Sequence, residues 1–396
     1  MRFGRRHMQK VRFPLPDLAV TRRATRLAFF TSGFGFACWA PLVPFARARL
    51  HADDATMGFL LLCLGVGSIS AMLVTGPLSG KYGSRPLVLA SATGLAIALP
   101  FLSTAASDLS LAFALLLFGG SLGSLDVAMN LHASEVEKLS AQNLMSGFHA
   151  LYSIGGFAGA GLMTCLLSVS LPPLDCALIC SLMVLIGTLL VRNGLLPPVP
   201  RDQAGMASEP VFVLPHGLVL VMAVQAAIMF LVEGAVLDWG ALLITQRELV
   251  SVSRGGLGYI LFSIAMTAGR LCGDAISERF GNFSVLLSGS SLSLLGFAAL
   301  LLSPNAALAM SGFVLIGLGA SNVVPVIFRA AGAQRLMPPG MAIAAVTTLG
   351  YAGVLVGPAL IGFVAKGVGL PAAFWLLAAL LTLVPLSAWR ISRVTS

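Results

Sequence analysis

Apolar residues run along this chain in blocks of about 20 residues, separated by short clusters of charge, glycine and proline. A helix needs about that length to cross roughly 30 Å of hydrocarbon at about 1.5 Å per residue. The blocks predict helices over residues 27–46, 57–78, 87–106, 109–132, 146–170, 175–192, 217–245, 256–274, 283–302, 306–328, 341–365 and 371–389. Twelve crossings return the chain to the side on which it began. With 57% hydrophobic and 10% charged residues, this is predicted to be an all-α integral membrane protein and not a soluble domain.

A shift of 198 residues, half of the 396, brings the second half into register with the first. Gly58 meets Gly256, Gly119 meets Gly317, and Leu151, Gly155 and Gly159 meet Leu349, Gly353 and Gly357. Ser79, Lys81, Tyr82 and Gly83 meet Ser277, Arg279, Phe280 and Gly281. Glycine coincidences are cheap in a chain with 43 of them, but a recurring basic–aromatic–glycine turn between recurring apolar blocks is not. The repeat predicts two pseudo-symmetric six-helix bundles, 27–192 and 217–390, joined by the proline-rich linker 193–216 and followed by a short tail, 391–396. Parallel halves enclosing a site where they meet are a transporter architecture.

Charge predicts orientation. With the even-numbered connections inside, every Lys and Arg falls inside except Arg47, Arg49, Arg247, Arg254, Lys366 and the mid-span Arg270. Both termini and the linker are therefore expected in the cytoplasm. Much of the formal +9 charge sits in the segment 1–26, at Arg2, Arg5, Arg6, Lys10, Arg12, Arg22, Arg23 and Arg26. That placement suits anionic lipid headgroups, not nucleic acid. The start mimics a cleavable leader ending at Ala46-Arg47-Ala48, but the apolar run is too long, holds Pro41 and Pro44, and precedes eleven more spans. The six cysteines lie in predicted helices without metal-ligand spacing, so no metal or cofactor is expected; Cys176 and Cys180 share a face as packing residues.

The tract GPLSGKYGSRPLVL, Gly76 to Leu89, closes the second helix and opens the third. Gly80 and Gly83 permit a tight turn there, and Lys81 and Arg85 hold it at the headgroups. It resembles the signature loop of the major facilitator superfamily, and DAISERFGNFSVLL, from Asp274, resembles its second copy. The family's acidic position is Gly80 in the first loop and Glu278 in the second, so the usual charge pairing does not carry over to the first. The resemblance covers residues 27–390. The tracts DVAMN (126–130), GFHALYSIGG (147–156), EGAVLDW (233–239) and GYAGVLVGP (350–358) resemble the YbjJ-type branch, related to the fucose permeases. That likeness implies a bacterial inner-membrane protein with proton coupling as the family default, and names no substrate. The fifth helix reads GGFAGAG, without the Gly-Pro signature of the superfamily's exporters, which favours uptake.

Charges inside a span are costly and usually face a cavity or a partner. Glu233 lies mid-helix in the seventh span with no evident basic neighbour at its depth, and is the leading proton carrier; the alternative is a protonated side chain bonding a neighbouring helix. Asp238, five residues on, faces elsewhere and with Trp239 is placed near the outer mouth, Asp238 as a secondary proton-coupling candidate, a cap or a gate, and Trp239 as a substrate contact or an interface anchor. Asp126 and Asn130 share a face of the fourth helix. His149, with Tyr152 and Ser153 on its face, enters the fifth at similar depth, so an Asp126–His149 pair is expected as a proton relay or a static gate bond. Arg270, placed near the inner end of the eighth helix, is expected to pair with Asp274 and Glu278 and brace the second loop; substrate anchoring is the alternative. Trp39, Asn322 and Tyr351 fall at depths a central site could reach, as contacts for a small polar ligand or as packing. Pro41, Pro44, Pro325 and Pro358 are expected to bend their helices.

No HExxH, GxSxG or phosphate loop is present, which argues against an enzyme or a self-contained ATP-driven pump. The expected function is a monomeric, proton-coupled secondary transporter of a small organic solute working by alternating access. A proton antiporter exporting amphipathic compounds and a non-transporting membrane sensor stand as alternatives.

Overall fold

The computed structural model describes residues 17–52, 54–197, 214–250 and 257–393. The distal basic residues Arg2, Arg5, Arg6, Lys10 and Arg12, most of the linker (198–213), Arg254, Gly256 and the last three residues lie outside the described residues. All regular structure among the described residues is helical. Span 1 is Leu18–Ala37 continued by Val43–Leu50, span 2 Asp54–Tyr82, span 3 Ser84–Thr104, span 4 Asp108–Ser140, span 5 Met145–Ser168 and span 6 Pro173–Val191. In the second half, span 7 is Gly217–Gln246, and spans 8 and 9 are residues 257–280 and 282–302 of one stretch, Leu257–Leu302, broken at Gly281. Span 10 is Ala306–Ala320 with Val323–Ala333, span 11 Pro339–Val368, and span 12 Leu370–Leu381 with Leu383–Ser392.

The duplication recurs in the structure at several matching positions. Gly83, between spans 2 and 3, has φ 79° and ψ 166°; Gly281, between spans 8 and 9, has φ 77° and ψ 160°. That conformation is essentially open to glycine alone, so each turn is made by a single residue. Gly80 lies inside the span 2 helix. Lys81 lies over the Tyr82 ring and Arg279 over the Phe280 ring, at 5.1 and 5.4 Å. Gly119 of span 4 rests on the backbone carbonyl of Leu64 and Gly317 of span 10 on that of Phe262, where any Cβ would collide. Such small residues bring membrane helices together, because lipid leaves close packing and hydrogen bonds to hold them.

A further repeated pair went unread in the sequence. Arg49, at the end of span 1, donates to the carbonyls of Leu102, Ser103 and Ala105 at 2.9, 2.6 and 2.7 Å. Arg247, 198 residues later, donates to those of Leu300 and Ser303 at 2.5 and 2.7 Å. Each guanidinium satisfies carbonyls that a helix leaves open at its C-terminus.

Several helices run past their apolar blocks. Span 1 starts at Leu18, capped by Asp17, so Arg22, Arg23 and Arg26 are helical. Span 4 continues to Ser140, span 8 to residue 280 and span 10 to Ala333. Glu, Lys and Arg sustain a helix as well as leucine does, so hydropathy marks where the oil ends and not where the helix ends. Prolines break spans 1 and 10: a 3-10 turn, Ala40–Leu42, precedes Pro44, and span 10 opens at Ser321–Asn322, four residues before Pro325. Proline has no N–H to give the carbonyl four residues back, which here is that of Ser321. Span 11 passes through Pro358 without interruption, and that side chain lies outside the described residues.

Candidate functional site

The two halves meet at the face that carries the start of span 1 and the end of span 12, called here the terminal face; Arg22, near the start of span 1, donates to Gln142 of the span 4–5 turn on that face. Midway through the molecule, spans 4, 5, 7, 8 and 11 bring polar side chains into one group. Asn130 Nδ2 donates to the Asp126 carbonyl and to Asp126 Oδ1, at 2.9 and 3.2 Å. Its Oδ1 is therefore left to accept, and His149 Nε2 donates to it at 3.1 Å. Asn130 thus stands between the two residues expected to pair, and links them. The imidazole lies parallel to the Phe328 ring of the other half, with centroids 5.6 Å apart, and meets Phe29 edge-on at 5.4 Å.

Next to this chain of hydrogen bonds, Tyr152 is within electrostatic reach of Asp126, Glu233 and Arg270. Tyr351, edge-on to Phe230 at 6.1 Å, is within reach of Asp126, Tyr152 and Glu233. Tyr152, Glu233 and Tyr351 are only half-buried. Below Tyr351, Met72, Val127 and Ala344 form a small apolar plug across spans 2, 4 and 11. Arg270 departs from expectation. Because span 8 runs on to residue 280, Arg270 sits mid-helix and not at its end. Its Nη1 donates to Ser153 Oγ at 2.7 Å and its Nε to the Ser321 carbonyl that Pro325 leaves open, at 3.4 Å. The expected bracing network with Asp274 and Glu278 is replaced by contacts toward the centre. Likewise, the cation missing near Glu233 in the sequence reading is Arg270 itself, within electrostatic reach of that carboxylate.

The charges nearer the terminal face form a separate latch. Arg329 of span 10 donates to Glu137 Oε1 and Oε2 of span 4 at 2.5 and 3.1 Å, to Asn282 Oδ1 at 2.9 Å and to Asp274 Oδ1 at 3.4 Å. Glu137 Oε2 also accepts from the Leu144 and Met145 amides at 2.7 and 2.9 Å. Asp274, from the other half, accepts from the next two amides, Ser146 and Gly147, at 3.0 and 2.7 Å. Two carboxylates therefore hold the open N–H groups and positive end of span 5, an arrangement a helix N-terminus favours. Glu278 accepts from the Asn143 amide at 3.2 Å, and Lys138 donates to the Gly332 carbonyl. At the pseudo-equivalent contact between spans 2 and 11, Gly76 packs on the Gly340 carbonyl and the Ala344 methyl, each 2.8 Å from where its Cβ would lie. A hollow of about 620 Å3 opens on this face over the latch, lined by Glu137, Asn143, Glu278 and Asn282 among others, away from the central group.

The remaining expected residues stand apart. Trp39 is buried and Trp239 packs over Gly362, and neither indole N–H has a partner among the described residues. Asp238 is exposed. Asn322 donates to the Gly269 carbonyl and Ser321 Oγ, both at 2.9 Å, one residue from the Arg270 contact, and its Oδ1 is left over. Arg85 lies half-buried at the start of span 3. Sequence reading missed Glu137, Lys138, Asn143, Asn282 and Arg329. The only signal was charge placed just beyond the predicted ends of the fourth and tenth helices.

The family profile of the Major Facilitator Superfamily matches residues 26–338. An uncharacterised MFS-type transporter of Yersinia pestis is 45% identical over 370 residues, covering 93% of this chain and 95% of that protein. The membrane protein MosC of Rhizobium meliloti is 30% identical over 356 residues, covering 90% and 86%. Among solved structures, the E. coli fucose:proton symporter FucP superimposes with a TM-score of 0.79 at 15% identity, covering 95% of this chain and 99% of that one. Twelve spans, the repeated signature turn and these matches agree: the chain is a member of the major facilitator superfamily, a family of membrane transporters and not of enzymes.

Proposed function

We propose that this chain is a proton-coupled symporter that carries a small organic solute across a bacterial inner membrane by alternating access, with Glu233 as the principal proton carrier. The reading places the terminal face in the cytoplasm, which is where the positive-inside rule puts the excess of Lys and Arg. In that orientation the latch closes the cytoplasmic side, while half-buried polar groups remain between the halves at mid-depth. The observation that carries the proposal is Glu233, a mid-span carboxylate at the seam between the halves with no hydrogen-bond partner among the described residues. An ionisable group inside a span usually marks an ion or solute path. The relay Asp126–Asn130–His149 gives a second group able to accept a proton, on the opposite half. One chain holds all of these residues, so a monomer suffices.

The test uses proteoliposomes loaded with pyranine and exposed in turn to neutral sugars, sugar acids, amino acids and amphipathic cations. Symport predicts that at least one solute drives acidification of the lumen, and that Glu233→Gln abolishes the signal. Alkalinisation by an entering solute identifies an antiporter instead. Solute counterflow without any proton movement, or an unaltered signal in Glu233→Gln, removes Glu233 from coupling.

A further inference from the structure

Two arginines are buried between the halves to the same degree, each 7% exposed, and their surroundings differ in kind. Arg329 faces two carboxylates and an amide oxygen, which accept from all three of its nitrogens. Arg270 donates to one hydroxyl and one carbonyl, both neutral acceptors. A guanidinium has five N–H donors and keeps its charge. Among the described residues no carboxylate lies within ion-pair distance of Arg270, although Glu233 is within electrostatic reach across the gap. A positive charge at the centre of a span is costly, and two neutral contacts do not cancel it. Arg270 is held ready for an anion that the chain itself does not supply at bonding distance.

We propose that Arg270 binds a carboxylate-type anionic group on the transported solute, and that Glu233 is the counter-ion that this group displaces. The proposal rests on the transport reading and names its substrate class. Protonating Glu233 removes the negative charge facing Arg270, so the guanidinium takes the solute's carboxylate; one proton and one negative charge load together. When Glu233 gives up its proton, its carboxylate competes for the same guanidinium and the solute leaves. Ser153, which accepts from Arg270 and donates to the His149 carbonyl at 3.3 Å, connects the anchor to the first half. The other charged and titratable groups facing this point are Tyr152, Tyr259 and His149. Asp126 is within electrostatic reach of Tyr152. The phenols and Ser153 supply hydrogen bonds for a polar body attached to the anion. A bidentate guanidinium–carboxylate contact is the geometry arginine favours.

The experiment compares sodium acetate with acetamide, at matched ionic strength, as stabilisers of the purified full-length protein. In Glu233→Gln the counter-ion is gone, so acetate raises the apparent Tm by about 2 °C or more, acetamide does not, and wild type responds less. Adding Arg270→Gln abolishes the response, and Arg270→Lys, which keeps the charge and loses the fork, retains part of it. If Glu233→Gln does not fold, Glu233→Ala takes its place. An acetate response that survives the loss of Arg270, equal responses to acetate and acetamide, or no response at all would each overturn the assignment. The pyranine assay separates this from the transport reading: proton movement driven only by neutral solutes leaves a transporter without an anion anchor.

Discussion

Removing Arg329 should open the terminal face. Its guanidinium and the Glu137 carboxylate have side chains only 8% and 9% exposed, and Asp274 shares the same cation. Arg329→Gln leaves Glu137 and Asp274 facing each other with backbone amides as their remaining donors. Stranding one partner of a buried ion pair costs about 3–5 kcal/mol. The closed arrangement alone bears that cost, because separating the halves readmits water to both carboxylates. The ratio of closed to open molecules should therefore fall by roughly 10²–10⁴. Spin labels at Leu139→Cys and Leu336→Cys, exposed positions on opposite halves of this face, report the change as a longer, broader distance distribution in a background without native cysteines. Glu137→Gln/Arg329→Gln should recover part of the closure, since a pair removed whole leaves fewer uncompensated charges. An unchanged distribution in Arg329→Gln, or a lower Tm with no change in distance, would refute the reasoning and make the pair a folding element instead of a latch.

Two further outcomes follow from the hydrogen bonds. Arg49→Met and Arg247→Met should each destabilise by about 2–3 kcal/mol, because hydrogen bonds from a charged donor to otherwise open carbonyls are lost. Urea or thermal unfolding checks this, and an effect below about 0.5 kcal/mol for both would show that water replaces the caps freely. The Asp126–His149 link runs through Asn130, so a double-mutant cycle with Asp126→Asn and His149→Gln should be non-additive in the native background. In Asn130→Leu the same cycle should become additive within about 0.5 kcal/mol, and coupling that persists would mean that the two groups meet directly.

Span number, the duplication and the glycine turns were legible in the sequence because they are local. A membrane helix satisfies its own backbone hydrogen bonds, so about 20 apolar residues suffice to define one. A glycine needed at φ 77–79° announces itself twice, at Gly83 and Gly281. The faces Asp126–Asn130 and His149–Tyr152–Ser153 were legible for the same reason, since helical spacing sets which residues share a face, but the bridge that Asn130 makes between them was not. Local spacing also misled. Arg270 is one turn from Asp274, yet its contacts go to Ser153 and Ser321, while Asp274 turns to span 5 and Arg329. Arg329 and Glu137 are 192 positions apart and pair only because spans 10 and 4 come from opposite halves. Which charge meets which depends on the rotation of each helix about its axis and on the closeness of the halves, quantities set by glycine contacts and proline breaks across the whole molecule. The chain alone therefore determined the elements and their order, and the tertiary structure decided which buried arginine meets carboxylates and which keeps only neutral hydrogen-bond partners.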